Sequence, residues 1–92
     1  MVGAVGDDPF GNDYFRALGE EGIDVGHIRK VPGMSTGSAT IIVEEGSGEN
    51  RIMVCTGANY SFEGLPDLVP RDADVVVFQL EMNLELVSLG RK

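Results

Sequence analysis

The segment STGSATIIVEEGSGENRIMVCTGAN, from Ser35 to Asn59, constrains the fold of this chain more than any other part. Residues 36–45 and 49–55 are rich in Thr, Ile and Val, which favour β-strands. Between them, Gly46-Ser47-Gly48 supplies residues that readily adopt the positive φ angles of a hairpin connection. The pattern therefore predicts two antiparallel strands joined by a short glycine turn.

The predicted hairpin has one largely apolar face. Alternation along the strands places on that face Ala39, Ile41, Val43, Ile52 and Val54. Such a face can pack on a core, pair with another copy of itself, or close over a small polar ligand and exclude water. From these residues alone, a core or interface role is favoured over a lid.

The N-terminal segment predicts the opening of a βαβ unit. Val2–Val5 is a short apolar run, and the following GDDPFG has the composition of a turn and helix cap. We expect a helix from Asn12 to about Glu21, capped by Gly11 or Asn12, with Gly22 just beyond its end. Its apolar stripe consists of Tyr14, Phe15 and Leu18.

The remaining segments complete an α/β pattern. His27–Val31 predicts a short strand, and Ser61–Arg71, with two prolines, has room only for a short helix. The apolar run Asp74–Leu80 predicts a parallel strand covered on both faces, and Leu84 and Val87 begin another helix. With only two candidate buried strands, we expect the chain to be a fragment of a larger sheet protein.

Charge and cysteine content narrow the partners. The 92 residues include 15 acidic and 7 basic side chains, a formal net charge of −8. Such a surface repels phosphate backbones and anionic lipid, so neither nucleic acid nor a membrane is expected as a partner. Cys55 is the only cysteine, and no signal peptide or membrane span is visible, which predicts a cytoplasmic location.

Glu81 is the first candidate for a binding residue. It directly follows the apolar run ending at Leu80, and ligands of open α/β sheets bind beyond the carboxyl ends of the strands. Its carboxylate could accept hydrogen bonds from sugar hydroxyls, or it could be only a solvated loop or helix-terminal charge. We interpret Asp7 and Asp8 as turn residues and His27 as a surface residue. The glycines at positions 3, 6 and 11 are spaced for turns, with no phosphate-binding loop.

Three blocks of the sequence, in this order, resemble the ribokinase-like sugar kinases, the phosphofructokinase-B carbohydrate kinase family. They are VGDDPFGNDYFRALGEEGID, TGSATIIVEEGSGENRIMVCTGAN and DVVVFQLE, and the resemblance runs from Val2 to about Val87. It implies part of a three-layer α/β sandwich with a β-hairpin lid. On this basis the chain divides into a strand–helix unit (1–26), the β lid (27–59) and a helix–strand–helix return to the main sheet (60–92).

The resemblance also implies a function and site residues. The family phosphorylates sugars with ATP, Mg²⁺ and an activating monovalent cation such as K⁺, and pairs into homodimers through the lid. The expected substrate is a pentose, D-ribose first, giving ribose 5-phosphate, with fructose, adenosine or another nucleoside as alternatives. Glu81 matches a ligand of ribose hydroxyls, and Ala39, Ile41 and Val54 match lid residues that close over the sugar. Gly57-Ala58-Asn59 matches a segment that returns the lid to the main domain without ligand contact.

By the same resemblance, other parts of the family's site fall outside this chain. The glycine-rich sugar motif lies upstream, and the catalytic aspartate and nucleotide-site residues lie downstream of Lys92. We therefore expect no catalytic, cofactor-binding or metal-binding residue here, and no activity from the 92 residues alone. The alternative is a non-catalytic module that associates through its hairpin.

Overall fold

The computed structural model describes residues 1–61 and 70–82. The chain begins with strand β1 (Val2–Gly6), helix α1 (Pro9–Glu20) and strand β2 (His27–Val31). β1 and β2 pair in parallel, with Val2 opposite His27 and Gly6 opposite Val31. Because parallel neighbours need a crossover connection, α1 joins them as a βαβ unit. The predicted unit is confirmed.

The predicted start of α1 is wrong by three residues. The helix begins at Pro9 rather than Asn12, and its N-cap is Asp8, whose side chain accepts a hydrogen bond from the Gly11 backbone N–H at 2.8 Å. Proline suits the first helical position because its fixed φ is already helical and its missing N–H would be unpaired there. Gly22 follows the helix with φ of 75°, as predicted.

α1 packs against β1, and the side chains of its predicted apolar stripe differ in burial. Phe15 and Leu18 are partly buried, whereas Tyr14 is exposed. The Lys30 ammonium lies 4.7 Å from the centre of the Phe15 ring, close enough for a cation–π interaction. The apolar stripe is therefore narrower than the sequence predicted.

The predicted hairpin is present as strands β3 (Ser38–Val43) and β4 (Asn50–Cys55). The strands are antiparallel, with Ser38 opposite Cys55 and Val43 opposite Asn50. The connection closes through hydrogen bonds from the Glu44 N–H to the Glu49 carbonyl (2.8 Å) and from the Gly48 N–H to the Glu44 carbonyl (3.1 Å). Gly46 and Gly48 have φ of 96° and 74°, a region that glycine enters without steric cost.

The core of the described residues is small and lies at the carboxyl end of β1. Its buried members are Val5, Gly6, Gly11, Thr36 and Ala58. A short 3-10 helix, Gly57–Tyr60, follows β4 and packs against β1. The three glycines predicted to form turns do not: Gly3 and Gly6 belong to β1, and Gly11 is inside α1.

The strand predicted over Asp74–Leu80 is not formed in the structure. This segment belongs to none of the four strands of the described residues, and Val77 is 89% exposed. It runs beside the start of β1, where Met1, Val2 and residues 75–79 help to line an apolar cleft of about 400 Å³. An apolar run becomes a strand only when a neighbour pairs its backbone groups, and none among the described residues does so.

Two predicted elements lie outside the described residues. These are most of the short helix within residues 61–71 and the helix beginning near Leu84, which fall on residues 62–69 and 83–92. Within the parts that the structure describes, no helix is both long and apolar enough to cross a membrane.

Candidate functional site

The β3–β4 pairing brings the predicted lid residues together. Ala39 stands opposite Val54, and Ile41 stands opposite Ile52, so all four side chains share one face. They are exposed, Val54 to 67%. The register therefore confirms the predicted apolar face, and leaves it uncovered by the described residues.

The opposite face of the hairpin is also partly apolar. Thr40 pairs with Met53 and Ile42 with Arg51, and both Ile42 and Met53 are largely exposed. Neither face of this hairpin is packed against β1, β2 or α1 to any substantial extent. The hairpin is thus held at its base and presents two different surfaces.

The first leg of the hairpin is anchored by a compact hydrogen-bond cluster, which we call the latch. It consists of the Asp8 carboxylate, the Thr36 hydroxyl and the backbone N–H groups of Gly6, Gly11 and Thr36. The Thr36 hydroxyl donates to Asp8 Oδ1 at 2.5 Å, and the Thr36 N–H donates to Asp8 Oδ2 at 2.7 Å. The same hydroxyl accepts from the Gly6 N–H at 3.0 Å. Thr36 thereby connects the end of β1 and the start of α1 to the segment that leads into β3.

The latch also sets the protonation state of Asp8. The Thr36 hydroxyl, the Thr36 N–H and the Gly11 N–H all donate to this carboxylate, and together they lower its pKa. Hydrogen bonds donated to a carboxylate favour its charged form. Asp8 is therefore an ionised acceptor at neutral pH, and the turn role predicted for it extends to anchoring the hairpin.

The second leg is anchored beside the first. The Ala58 N–H donates to the Ser35 carbonyl at 2.8 Å, and Ala58 is fully buried. The Asn59 side chain lies against Gly37, leaving no room there for a Cβ. The Gly57–Asn59 segment thus joins the hairpin to the βαβ unit, which agrees with the connecting role that the resemblance implied.

Glu81 stands apart from this arrangement. It follows the unpaired segment 74–80 and is exposed to solvent. The hydrogen bonds that hold the hairpin join it to β1 and α1, and none of those among the described residues reaches Glu81. The geometry brings Ala39, Ile41 and Val54 to one surface and does not bring Glu81 into contact with them.

The described residues contain no candidate metal centre. No three His, Cys, Asp or Glu side chains in residues 1–61 and 70–82 are grouped to hold a metal ion. Asp8, the one acidic residue of this part that is not exposed, already accepts from three protein donors. The Asp8 carboxylate is therefore occupied in holding the hairpin.

Thr36 is the residue that sequence analysis missed. Its partners Asp8 and Gly6 are 28 and 30 positions away, so no local spacing connects them. One signal was available. A threonine between Ser35 and Gly37, just before a strand, is free to turn its hydroxyl toward a neighbouring carboxylate rather than into the sheet.

The chain is similar in sequence to known carbohydrate kinases. Residues 1–85 match the profile described as pfkB family carbohydrate kinase. The chain is 39% identical over 94 residues to a ribokinase of Schizosaccharomyces pombe, covering 98% of this chain and 29% of that protein. A deoxyribokinase of Salmonella typhi is 37% identical over 93 residues, covering 95% of this chain and 29% of that protein.

The fold of this chain is also similar to part of the solved structures of two ribokinases. A ribokinase from Giardia lamblia superimposes with a TM-score of 0.81 at 40% identity, over 97% of this chain and 29% of that one. A ribokinase from Thermotoga maritima gives a TM-score of 0.73 at 26% identity, over 94% and 28%. The resemblance and the α/β fold expected from the sequence are confirmed. The chain spans less than a third of the length of these relatives.

Proposed function

Because the chain belongs to the pfkB family of carbohydrate kinases, we propose that the protein transfers a phosphoryl group from ATP to a hydroxyl of a small sugar. The curated relatives are named ribokinase and deoxyribokinase, which supports a pentose as the substrate. D-ribose, giving ribose 5-phosphate, is the first choice, and fructose or a nucleoside such as adenosine is the alternative. A lone, exposed Cys55 agrees with a cytoplasmic location.

The observation that carries this proposal is the exposed apolar face of a hairpin held only at its base. Ala39, Ile41 and Val54 form a surface that buries nothing within the described residues. Closed over a bound sugar, the face would exclude water from the reacting hydroxyl, and water exclusion strengthens the electrostatic interactions that phosphoryl transfer needs. In this proposal the β3–β4 hairpin is the lid.

Glu81 is proposed as the sugar ligand of this segment. An ionised carboxylate has only acceptor sites, and sugar hydroxyls are donors that suit it. Its exposure leaves those sites available to a ligand. ATP, Mg²⁺ and K⁺ are proposed for the whole protein, held by groups that the described residues do not provide, so no transfer step is assigned to this chain.

A chimeric enzyme tests the proposal. The S. pombe ribokinase would receive this chain in place of its own segment that aligns with it. We expect the chimera to phosphorylate ribose and the isolated 92-residue chain to show no ribose-dependent ATP consumption. In the chimera, Glu81→Gln should weaken ribose binding about ten- to a hundredfold, since hydrogen bonds to a charged group contribute about 1.5–3 kcal/mol. Affinity for an ATP analogue should hardly change.

Titration calorimetry with ribose, and separately with the analogue, gives both affinities. Glu20→Gln is the matched control, because Glu20 at the end of α1 is also an exposed acid. Unchanged ribose affinity in Glu81→Gln would remove Glu81 from the site. Ribose-dependent turnover by the isolated chain, abolished by Glu81→Ala, would contradict the assignment of catalysis to residues outside it.

A second candidate function rests on the other face of the hairpin. Ile42 and Met53 are exposed and face away from Ala39 and Val54, so this surface is available for pairing with a second copy. We propose a homodimer through this face. Sedimentation velocity over a range of concentrations should show a dimer that Ile42→Ser weakens and Ile41→Ser does not. A monomer at every concentration would exclude self-association.

A further inference from the structure

The two legs of the hairpin leave the βαβ unit at one place. The first leg passes through Ser35–Gly37 and the second through Thr56–Asn59, and they touch through the Ala58 N–H and the Ser35 carbonyl. Both legs lie against the end of β1. The hairpin therefore extends from a single base, and the contacts that fix this base also fix the direction of both strands.

At this base a single side chain connects three elements. The Thr36 hydroxyl accepts from β1 at Gly6 and donates to Asp8, which caps α1. Thr36 is only 7% exposed and its hydrogen bond from the Gly6 N–H is buried, whereas its hydrogen bonds to Asp8 are partly buried. Because α1 and β1 belong to the βαβ unit, the first leg is tied to that unit and not merely to a neighbouring loop.

A small change of angle at Thr36 would produce a large displacement of the apolar face of the hairpin. Ile41 lies five residues beyond Thr36, which at about 3.3 Å per residue of extended chain places it at most about 17 Å away. A tilt of about 10° at the base would move a side chain at that distance by about 3 Å. A displacement of this size is large compared with the roughly 0.5 Å within which the groups of a binding site must be held, so it would weaken contacts with the sugar.

We propose that Thr36 is a positioning residue for sugar binding: its hydroxyl, held between Gly6 and Asp8, sets the angle at which the apolar face of the hairpin meets the sugar. This inference rests on the proposed kinase function. Thr36 touches no substrate in this proposal and acts only through the hairpin. The lowered pKa of Asp8 supports the arrangement, because an ionised carboxylate keeps both of its oxygens available as acceptors.

The test uses three variants of the chimeric ribokinase that carries this chain. Thr36→Val keeps the shape and removes the hydroxyl, whereas Thr36→Ser keeps the hydroxyl. The control is Thr56→Val, on the second leg, where the threonine is exposed and makes no side-chain capping bond. Thr36→Val should raise the KM for ribose at least about fivefold and leave kcat and the KM for ATP within about twofold. Thr36→Ser and Thr56→Val should behave as the parent.

A role confined to stability would give a different result. Thr36→Val would then lower the melting temperature and the fraction of active enzyme, with the KM for ribose unchanged, and that outcome overturns the proposal. If Thr36→Val does not fold, Asp8→Asn replaces it with the same expectations, because Asn retains a capping oxygen while losing the charge and one acceptor.

A second readout does not depend on activity. Spin labels at Ser47→Cys on the hairpin turn and Asn12→Cys on α1, in a Cys55→Ser background, report the distance between hairpin and helix. Thr36→Val should broaden this distance distribution, and Thr36→Ser should not. A chimera that phosphorylates no sugar would refute the proposed function alone. The spin labels would then decide whether Thr36 positions the hairpin. A broadened distance distribution in Thr36→Val supports this role, and an unchanged distribution overturns it.

Discussion

Adding one methyl group to the end of β1 should destabilise the fold sharply. A Cβ at Gly6 would overlap backbone atoms of Met34, Ser35 and Thr36, the segment that leads into the hairpin. Backbone cannot move aside as the end of a flexible side chain can. Gly6→Ala must therefore push this segment away from β1, which weakens the hydrogen bond from the Asp7 N–H to the Met34 carbonyl.

The same strand contains a matched control. A Cβ at Gly3 would meet nothing within 4 Å, and neither glycine has a φ that excludes alanine. Both substitutions reduce the conformational freedom of the unfolded chain by the same amount, so that contribution cancels when the two variants are compared. The difference between Gly6→Ala and Gly3→Ala isolates the overlap.

The expected size of that difference follows from two contributions. Overpacking a well-packed site costs about 1–3 kcal/mol, and a weakened backbone hydrogen bond adds about 1 kcal/mol. Gly6→Ala should thus be about 2–4 kcal/mol less stable than Gly3→Ala, which corresponds to roughly 8–30 °C in melting temperature for a domain of this size.

Urea unfolding followed by far-ultraviolet circular dichroism measures this difference directly. Gly3→Ala should match or slightly exceed the parent, since alanine is favoured over glycine inside a strand. Equal urea midpoints for the two variants would refute the close approach of residues 34–36 to β1, and with it the geometry of the latch.

Three further outcomes are expected. Folding lowers the pKa of Asp8, so the contribution of this carboxylate to stability is present above the ordinary aspartate pKa of about 4 and is lost as pH falls through the lower folded value. Urea midpoints measured between about pH 6 and 2 should therefore fall less steeply in Asp8→Asn than in the parent. Arg16→Gln removes a 2.8 Å ion pair with Asp13 whose side chains are 69% and 62% exposed, and thermal unfolding should show a loss below about 0.5 kcal/mol that vanishes in about 1 M salt. Lys30→Met, which keeps an apolar chain over Phe15, should cost about 0.5–1 kcal/mol by urea unfolding.

The elements with strong local patterns were predictable from the sequence. The bounds predicted for β2, His27–Val31, agree with the structure, and β3 and β4 lie within their predicted segments. β-branched residues on both sides of a glycine turn specify a hairpin because strand preference, alternation and turn chemistry all favour the same structure. The shared face of Ala39, Ile41 and Val54 follows from that register alone.

Besides the glycines predicted to form turns, two predictions failed because a local pattern was ambiguous. Asp8-Pro9 is equally typical of a turn and of a helix start, and the structure uses it as the N-cap and first residue of α1. The apolar run 74–80 indicates burial, not pairing, because hydrophobic side chains do not specify which backbone will pair with theirs. The predicted position of Glu81, beyond the carboxyl end of a strand, failed for the same reason, because it depended on residues 74–80 forming that strand.

The latch shows why the base of the hairpin escaped prediction although its strands did not. Strand alternation and turn residues act within a few positions of one another, whereas Thr36 meets Asp8 and Gly6 only after the chain has passed through α1 and β2. Its trace in the sequence is instead a set of glycines where backbones approach closely: Gly6 against residues 34–36, and Gly57 against residues 35–37. Gly57 also has a φ of 49°, which favours glycine by itself, so Gly6 is the clearer signal. A glycine inside a strand indicates that another backbone segment approaches closely, because a larger residue would separate the two.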